Sequence, residues 1–264
     1  MSVLGAFALG ALCALPVNAQ AVDPAALLSG QELIYSGRFE AARHYFGDLA
    51  AQHPSETAPR VLEASALIWW GEAAGEEMFR ADTIDVLLDD AVARGEAAVQ
   101  AAGADSAALA QALFWLGTAL GYHARQAELR GDMLAASRHA KAMRRVLERA
   151  LAADASCADC LLGLGVYDYA LARAGAVSRL MARIIGLGGG QLARGLDRIR
   201  RSAEGGVFTR WESRWVYGNA LLREGERDAS LREEGRRIIG ELAARFPDNQ
   251  AFRRILEGGD RTGP

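Results

Sequence analysis

Residues 23–54 read DPAALLSGQELIYSGRFEAARHYFGDLAAQHP, and this stretch decides the fold. Its small residues Gly30 and Ala42 lie where two packed helices approach each other closely. The run SGRFEAA places Gly37 as a helix stop directly before a new helix, and Pro54 ends that helix. Large apolar residues that fit the contact faces are Leu33, Phe46 and Leu49. The stretch therefore predicts two antiparallel helices with a turn at Gly37.

This spacing resembles the tetratricopeptide repeat (TPR), a unit of about 34 residues that forms two helices. Looser copies follow along the chain, with small residues at Ser65, Gly117, Gly165 and Gly218. The predicted later helices lie at roughly 82–102, 106–125, 132–153, 157–172, 175–186, 191–204, 208–224 and 249–257. No stretch alternates with period two, so we predict an all-α superhelix, a TPR-like right-handed solenoid of antiparallel helix pairs. It forms one domain over residues 20–264, with a helical insertion at roughly 173–205.

The overall composition agrees with a folded helical protein. Apolar residues make up 51% of the chain and charged residues 24%, which argues against disorder. The net charge of −3 gives no reason to expect nucleic acid as a partner.

The first residues differ in character from the rest of the chain. Residues 3–15 are continuously apolar or small, which matches the apolar region of a signal peptide and is too short to span a bilayer. Val17 and Ala19 supply the small residues that cleavage before Gln20 requires. We predict a cleaved signal peptide at residues 1–19 and a periplasmic or secreted mature protein. A buried N-terminal helix is the alternative.

Two cysteines remain after such cleavage, Cys157 and Cys160, in the order Cys-Ala-Asp-Cys. In an oxidising compartment this pair can close a disulfide. The alternative is two small residues on the first turn of a helix. A zinc site would need two further ligands nearby, and a thioredoxin-type motif would follow a strand. We therefore predict no metal, while the sequence leaves the state of the cysteines open.

The C-terminal half carries a more specific resemblance. The runs LLGLGVYDY, GLDRIRRSAEGG, TRWESRWVYGNALL and ELAARFPDNQAF follow one another between about residues 145 and 252. In this order they resemble a group of exported bacterial TPR-like proteins. The resemblance implies a TPR-type scaffold and lends no catalytic residues.

Residues suited to catalysis are few and scattered. His123 and His139 fall in the two helices of one predicted pair and could approach each other, but we expect no acid beside them. The run GLGGG at 186–190 would hold a phosphate only after a strand and with a Walker lysine, so we interpret it as a connector. The sequence predicts no catalytic residue and no cofactor.

Charge is unevenly distributed along the chain. Acids outnumber bases 11 to 3 from Glu56 to Asp105, whereas nine arginines face three acids from Arg173 to Arg214. A solvated outer face explains this, and the alternative is a surface that steers a partner or contacts an anionic membrane. Peripheral membrane contact would use the basic region at 175–201.

The concave groove of a TPR array is lined by the first helix of each pair. In this chain the corresponding residues are Tyr35, Trp69, Phe114, Tyr122, Tyr169, Trp215, Asn219 and Arg223. Such an aromatic strip suits a peptide or protein segment, since rings supply contact area and polar groups fix direction. Alternatively, several of the rings pack between helices. The sequence thus predicts a non-catalytic binding protein; capture of a small solute for a membrane transporter is the second hypothesis.

Overall fold

The computed structural model describes residues 21–175, 189–226 and 228–257. Within these ranges the chain forms eleven α-helices and no strand. The helices are α1 (Pro24–Tyr35), α2 (Phe39–Gln52), α3 (Ala58–Ala74), α4 (Ala81–Ala101), α5 (Ser106–Leu129), α6 (Met133–Ala153), α7 (Cys160–Arg173), α8 (Leu192–Gly205), α9 (Arg210–Glu224), α10 (Ala229–Arg245) and α11 (Gln250–Leu256).

Short polar side chains fix where many of these helices begin. The Asp105 carboxylate accepts hydrogen bonds from two backbone N–H groups at the start of α5, at 3.0 and 3.1 Å. Such a cap satisfies N–H groups that have no partner inside the helix. The same role at α1, α6, α10 and α11 is taken by Asp23, Asp132, Asp228 and Asn249. Local sequence therefore determines these helix starts.

Helices that follow one another in the chain pack against one another, which gives the predicted all-α superhelix. The predicted turn at Gly37 is confirmed: this residue has a φ of +76° between α1 and α2. Gly30 lies against the ring of Phe46, and a Cβ at this position would come within 2.4 Å of it. Ala42 is fully buried. The close approach predicted from residues 23–54 is therefore present.

The insertion between α7 and α9 is described only in part. The predicted helix at 175–186 and most of the GLGGG run lie outside the described residues, whereas the second predicted helix is α8. Asp168, which is almost completely buried in α7, binds Arg194 and Arg198 of α8, each at 2.6 Å. Asp159 accepts hydrogen bonds from the backbone N–H groups of Phe208 and Thr209 at 2.9 and 2.8 Å. These carboxylates hold α8 and the start of α9 against α7.

Cys157 and Cys160, the pair left open above, are joined by a disulfide in the structure. The bridge closes a single turn at the start of α7, where Cys160 is fully buried. It therefore fixes a local turn and links no distant elements.

The last helices return to the first ones. Gln31 in α1 donates a hydrogen bond to the carbonyl of Phe208 at 2.8 Å, and Asn249 donates one to the carbonyl of Tyr35 at 3.0 Å. α11 packs against α3, where Arg254 reaches the carbonyl of Ala73 at 3.4 Å. The two ends of the described chain are consequently in contact.

None of the helices within the described ranges is long and apolar enough to cross a membrane.

Candidate functional site: the inner face of the helical array

The eight residues predicted to line a groove separate into two sets. Tyr35, Trp69, Phe114 and Tyr122 are buried, with exposed fractions of 2%, 2%, 5% and 9%. Tyr169, Trp215 and Asn219 are partly exposed and Arg223 is exposed. The structure thus places half of the predicted strip in the core and leaves the other half on the surface.

Aromatic residues from both ends of the chain surround Trp69. Its ring lies 5.3 Å from Tyr35, 5.1 Å from Trp215 and 5.6 Å from Phe252, all edge to face. Tyr35 also contacts Phe246 at 5.9 Å. Edge-to-face contacts at these distances are favourable and add to the area that each ring buries.

The expectation of an open groove is therefore wrong at the buried residues. Helices α9–α11 cover Tyr35 and Trp69, and Phe208 in the connection before α9 covers Phe114 at 6.3 Å. The spacing of residues within one repeat could not predict this covering, because the covering residues lie far away in the chain. These rings pack between helices, which was the alternative interpretation of the sequence.

Tyr122 belongs to a buried polar group between α3, α5 and α9. Its hydroxyl donates a hydrogen bond to the Glu212 carboxylate at 2.9 Å, and the Ser65 hydroxyl lies 3.3 Å from it. Burial of the Glu212 carboxyl raises its pKa above the usual range, although the Tyr122 hydrogen bond and the charge of Arg125 oppose the shift. Burial followed by the Glu212 charge also raises the pKa of Tyr35 and of Tyr122.

This polar group is poorly arranged for acid–base catalysis. A tyrosine whose pKa is raised keeps its proton and acts as a hydrogen-bond donor. Tyr122 and Ser65 are both buried and Glu212 is partly buried, so little of the group is open to solvent. Its arrangement suits a structural role, in which Tyr122 satisfies a carboxyl group that packing has removed from water.

The accessible half of the strip runs along α9. Trp215, Asn219 and Arg223 are spaced four residues apart and so lie on one face of the helix. Tyr169 of α7 contacts the same helix, because its hydroxyl donates a hydrogen bond to the Glu224 carboxylate at 2.9 Å. Burial, then this hydrogen bond, raises the pKa of Tyr169 to about 12. The result is a surface with two rings, an amide and a guanidinium group, which continues from the buried Trp69 cluster.

His123 and His139 do approach each other, with rings stacked at 4.9 Å and an angle of 16° between their planes. The expectation that no acid lies beside them is wrong, because the His123 Nε2 atom is 3.2 Å from Asp89 of α4. Burial lowers the pKa of both imidazoles. No group of three or more histidines, cysteines or acids in the described part of the chain is arranged to hold a metal ion.

The basic region at 175–201 is only partly described. Arg194 and Arg198 bind Asp168 and also reach solvent, and Arg201 is exposed. Gly190, at the end of the GLGGG run, packs against the backbone of α7: a Cβ there would lie 2.3 Å from the Asp168 carbonyl. Membrane contact through this region stays a prediction.

Sequence reasoning missed two clefts, because each is built from separate elements. One, of about 370 Å³, lies on α6 and α7 and is lined largely by basic residues together with Tyr167. The other, of about 280 Å³, lies between α1 and the start of α9 and includes Leu28, Val207 and Trp211. The residues of the second cleft stand roughly 180 positions apart, so no local pattern could bring them together.

Comparison with models of protein families finds no match to this chain, and comparison with curated proteins finds none either.

Proposed function

We propose that this chain is a non-catalytic, TPR-type binding protein of the periplasm that holds a peptide or protein segment on its inner face. The binding surface is the accessible strip of Tyr169, Trp215, Asn219 and Arg223. The fold supplies a scaffold on which such sites are built, and the site itself carries the functional argument.

One observation carries this proposal: the surface of α1 and α3 around Tyr35 and Trp69 already holds a polypeptide segment. The chain's own residues 246–256 lie against α1 and α3, with Phe252 fully buried against Trp69. Asn249 fixes the direction of this segment through its hydrogen bond to the Tyr35 carbonyl. Aromatic contacts combined with one backbone hydrogen bond are the chemistry expected for holding a peptide.

The strip offers the same chemistry to a segment from another molecule. Trp215 and Tyr169 present partly exposed rings, while Arg223 has no ion-pair partner among the described residues and can bind a carboxylate. Few rotatable bonds make aromatic side chains efficient contacts, because little conformational entropy is lost on binding. A partner segment with an apolar residue near an acid fits this surface.

The second candidate, capture of a small solute, is favoured by the cleft of about 280 Å³ at α1. That volume lies just below the range of roughly 300–1,000 Å³ typical of small-molecule sites. Both candidates place the protein outside the cytoplasm, in agreement with the predicted signal peptide at residues 1–19.

Affinity capture from a periplasmic extract, with mass spectrometry, tests the first candidate. The wild type is compared with the double variant Tyr169→Ala, Arg223→Glu, whose positions lie at the surface and leave the Trp69 cluster intact. We expect the variant to lose the proteins that the wild type enriches and to keep its helical circular dichroism.

Arg236→Glu provides the matched control, since this arginine is exposed on α10 and makes no hydrogen bond, ion pair or ring contact with the strip. It reverses a charge as Arg223→Glu does, so it should recover the same proteins as the wild type. Recovery of those proteins by the double variant as well would overturn the proposal.

A further inference from the structure

The cleft between α1 and α9 combines exposed apolar groups with an aromatic ring. Leu28 of α1 and Val207, just before α9, are 40% and 53% exposed, values that are high for large apolar side chains. Trp211 lines the same cleft, and its ring packs edge to face on Phe246 at 5.3 Å. Packing therefore holds the indole in place beside an apolar opening.

Most charges around Trp211 are already compensated within the protein. Arg245 lies over the indole ring at 5.1 Å and pairs with Glu32 at 3.7 Å. Arg214, on the next turn of α9, pairs with Glu241 of α10. Glu32 is thus a partner of Arg245, and it leaves no free negative charge at the rim.

Arg210 is the exception. Its exposed guanidinium group lines the cleft next to Trp211 and has no ion-pair partner in the described part of the chain. The cleft consequently carries one uncompensated positive charge beside an apolar surface. A guanidinium group binds a carboxylate through two parallel hydrogen bonds, which is its strongest common interaction.

We propose that this cleft binds a small organic monocarboxylate with a compact aromatic or branched apolar body. The apolar body would contact Leu28, Val207 and Trp211, and the carboxylate would bind Arg210. The volume of about 280 Å³ limits the ligand to a small molecule. The single free charge favours a monoanion over a dianion.

The size and charge of the cleft favour this ligand over other occupants. Inorganic phosphate would leave the apolar wall uncovered, and a neutral hydrocarbon would gain nothing from the exposed guanidinium group of Arg210. This inference goes beyond the proposed peptide-binding function, since none of Tyr169, Trp215, Asn219 and Arg223 lines the cleft.

Phenylacetate and its uncharged analogue phenylacetamide are the probes. Binding to the full chain is followed by the NMR signal of the Trp211 indole N–H, which is assigned from its loss in Trp211→Phe. A ligand of this size is expected to bind with a dissociation constant on the order of 1 mM. Phenylacetate should bind at least about tenfold more tightly than phenylacetamide, because only the acid pairs with Arg210.

Two variants separate the charge from the apolar surface. Arg210→Gln should weaken phenylacetate binding to the level of phenylacetamide, whereas Val207→Ser should weaken both ligands. Arg236→Gln, at an exposed position of α10 that does not line the cleft, is the control and should change the binding of neither ligand. Equal affinity for phenylacetate and phenylacetamide would overturn the proposal. An indole signal that stays unaltered at a phenylacetate concentration roughly ten times the expected dissociation constant would overturn it as well.

A longer probe distinguishes a free acid from the end of a peptide. N-acetylphenylalanine carries the same ring and carboxylate together with a backbone amide. If it binds much more tightly than phenylacetate, the cleft serves a polypeptide terminus and the small-acid proposal is wrong. Loss of partner capture by the strip variant with retained phenylacetate binding would show that the two sites are independent.

Discussion

At the scale of single residues, burial of the Glu212 carboxyl group makes the stability of the fold depend on pH. Its raised pKa means that the folded protein binds this proton more tightly than the unfolded chain does. The stability gained from protonation is fully present below the usual pKa of 4.5 and is lost as pH rises through the raised value. At neutral pH, Glu212 therefore destabilises the fold.

Replacing this residue tests the argument. In Glu212→Gln, the amide oxygen can still accept the hydrogen bond from Tyr122, but no buried charge forms. We expect a higher melting temperature than wild type at pH 7, by about 2–4 °C for each kcal/mol gained in a chain of this size. Near pH 4 the difference should disappear, because both side chains are then neutral. Thermal unfolding by circular dichroism at the two pH values checks this, and an equal gain at both would contradict it.

At the scale of helices, Asp168 joins the runs LLGLGVYDY and GLDRIRRSAEGG of this chain. The aspartate is the last but one residue of the first run and binds Arg198 in the second, so the two runs form one α7–α8 contact. Removing one partner of a buried ion pair lowers the stability of the fold by several kcal/mol. The pair thus stabilises the position of α8 on α7.

Asp168→Ala should destabilise the fold by about 3 kcal/mol, the lower end of the range for broken buried pairs, because Arg194 and Arg198 both reach solvent. Urea unfolding measures the change. Asp197→Ala is the control: Asp197 pairs with Arg200 on the exposed surface of α8, and we expect a loss below about 1 kcal/mol. Similar losses in both variants would show that burial of Asp168 is unimportant.

The stacked histidines couple α5 and α6 to pH. Burial, followed by the charge of His139, lowers the pKa of His123; burial, followed by Arg138, lowers that of His139. Asp89 opposes both shifts, but the net direction remains downward. Folded imidazoles therefore stay neutral at a pH at which unfolded ones already bind protons. The remaining charges that act on the pair are Asp85, Arg130 and Asp132.

We expect the contribution of the two histidines to the free energy of unfolding to be constant above about pH 6.5. Below that value the stability should fall as pH drops. His139→Asn removes one imidazole and leaves His123 free to pair with Asp89, so this decline should become shallower. His44→Asn, in the exposed surface of α2, should retain the decline. The measurement is urea unfolding between pH 7.5 and about 5. All variants carry Glu212→Gln, because protonation of Glu212 would raise stability as pH falls and so mask the effect of the histidines. An unchanged slope in His139→Asn would contradict the assignment.

At the scale of the whole molecule, local sequence patterns predict the helix pairs but not the contact between the last helices and the first ones. Gly30, Ala42 and Gly37 fix one helix pair through contacts between neighbours, which is why the repeat fold is visible in the sequence. The contacts that bury Tyr35 and Trp69 join α1 and α3 to residues beyond 210. Nothing in a 34-residue template encodes such distances, and the groove prediction failed at the residues that they cover.

Closure changes how the array should unfold. In an open solenoid each repeat contacts only its neighbours, so damage at one end stays there. Here Phe252 of α11 is fully buried against Trp69 of α3, and Asn249 binds the carbonyl of Tyr35. Loss of the C-terminal contact should therefore loosen the N-terminal helices as well.

Phe252→Ala tests this coupling. Removing a buried phenylalanine ring costs about 3–5 kcal/mol, and the cavity would lie at the α3–α11 contact. We expect faster amide hydrogen exchange in α1 and α3 as well as in α10 and α11, while α5 and α6 keep their protection. Leu256→Ala, on the exposed side of the same helix, should leave exchange in α1 and α3 unchanged. If Phe252→Ala accelerates exchange only in α10 and α11, the two ends are energetically independent and the array behaves as an open solenoid despite its closed shape.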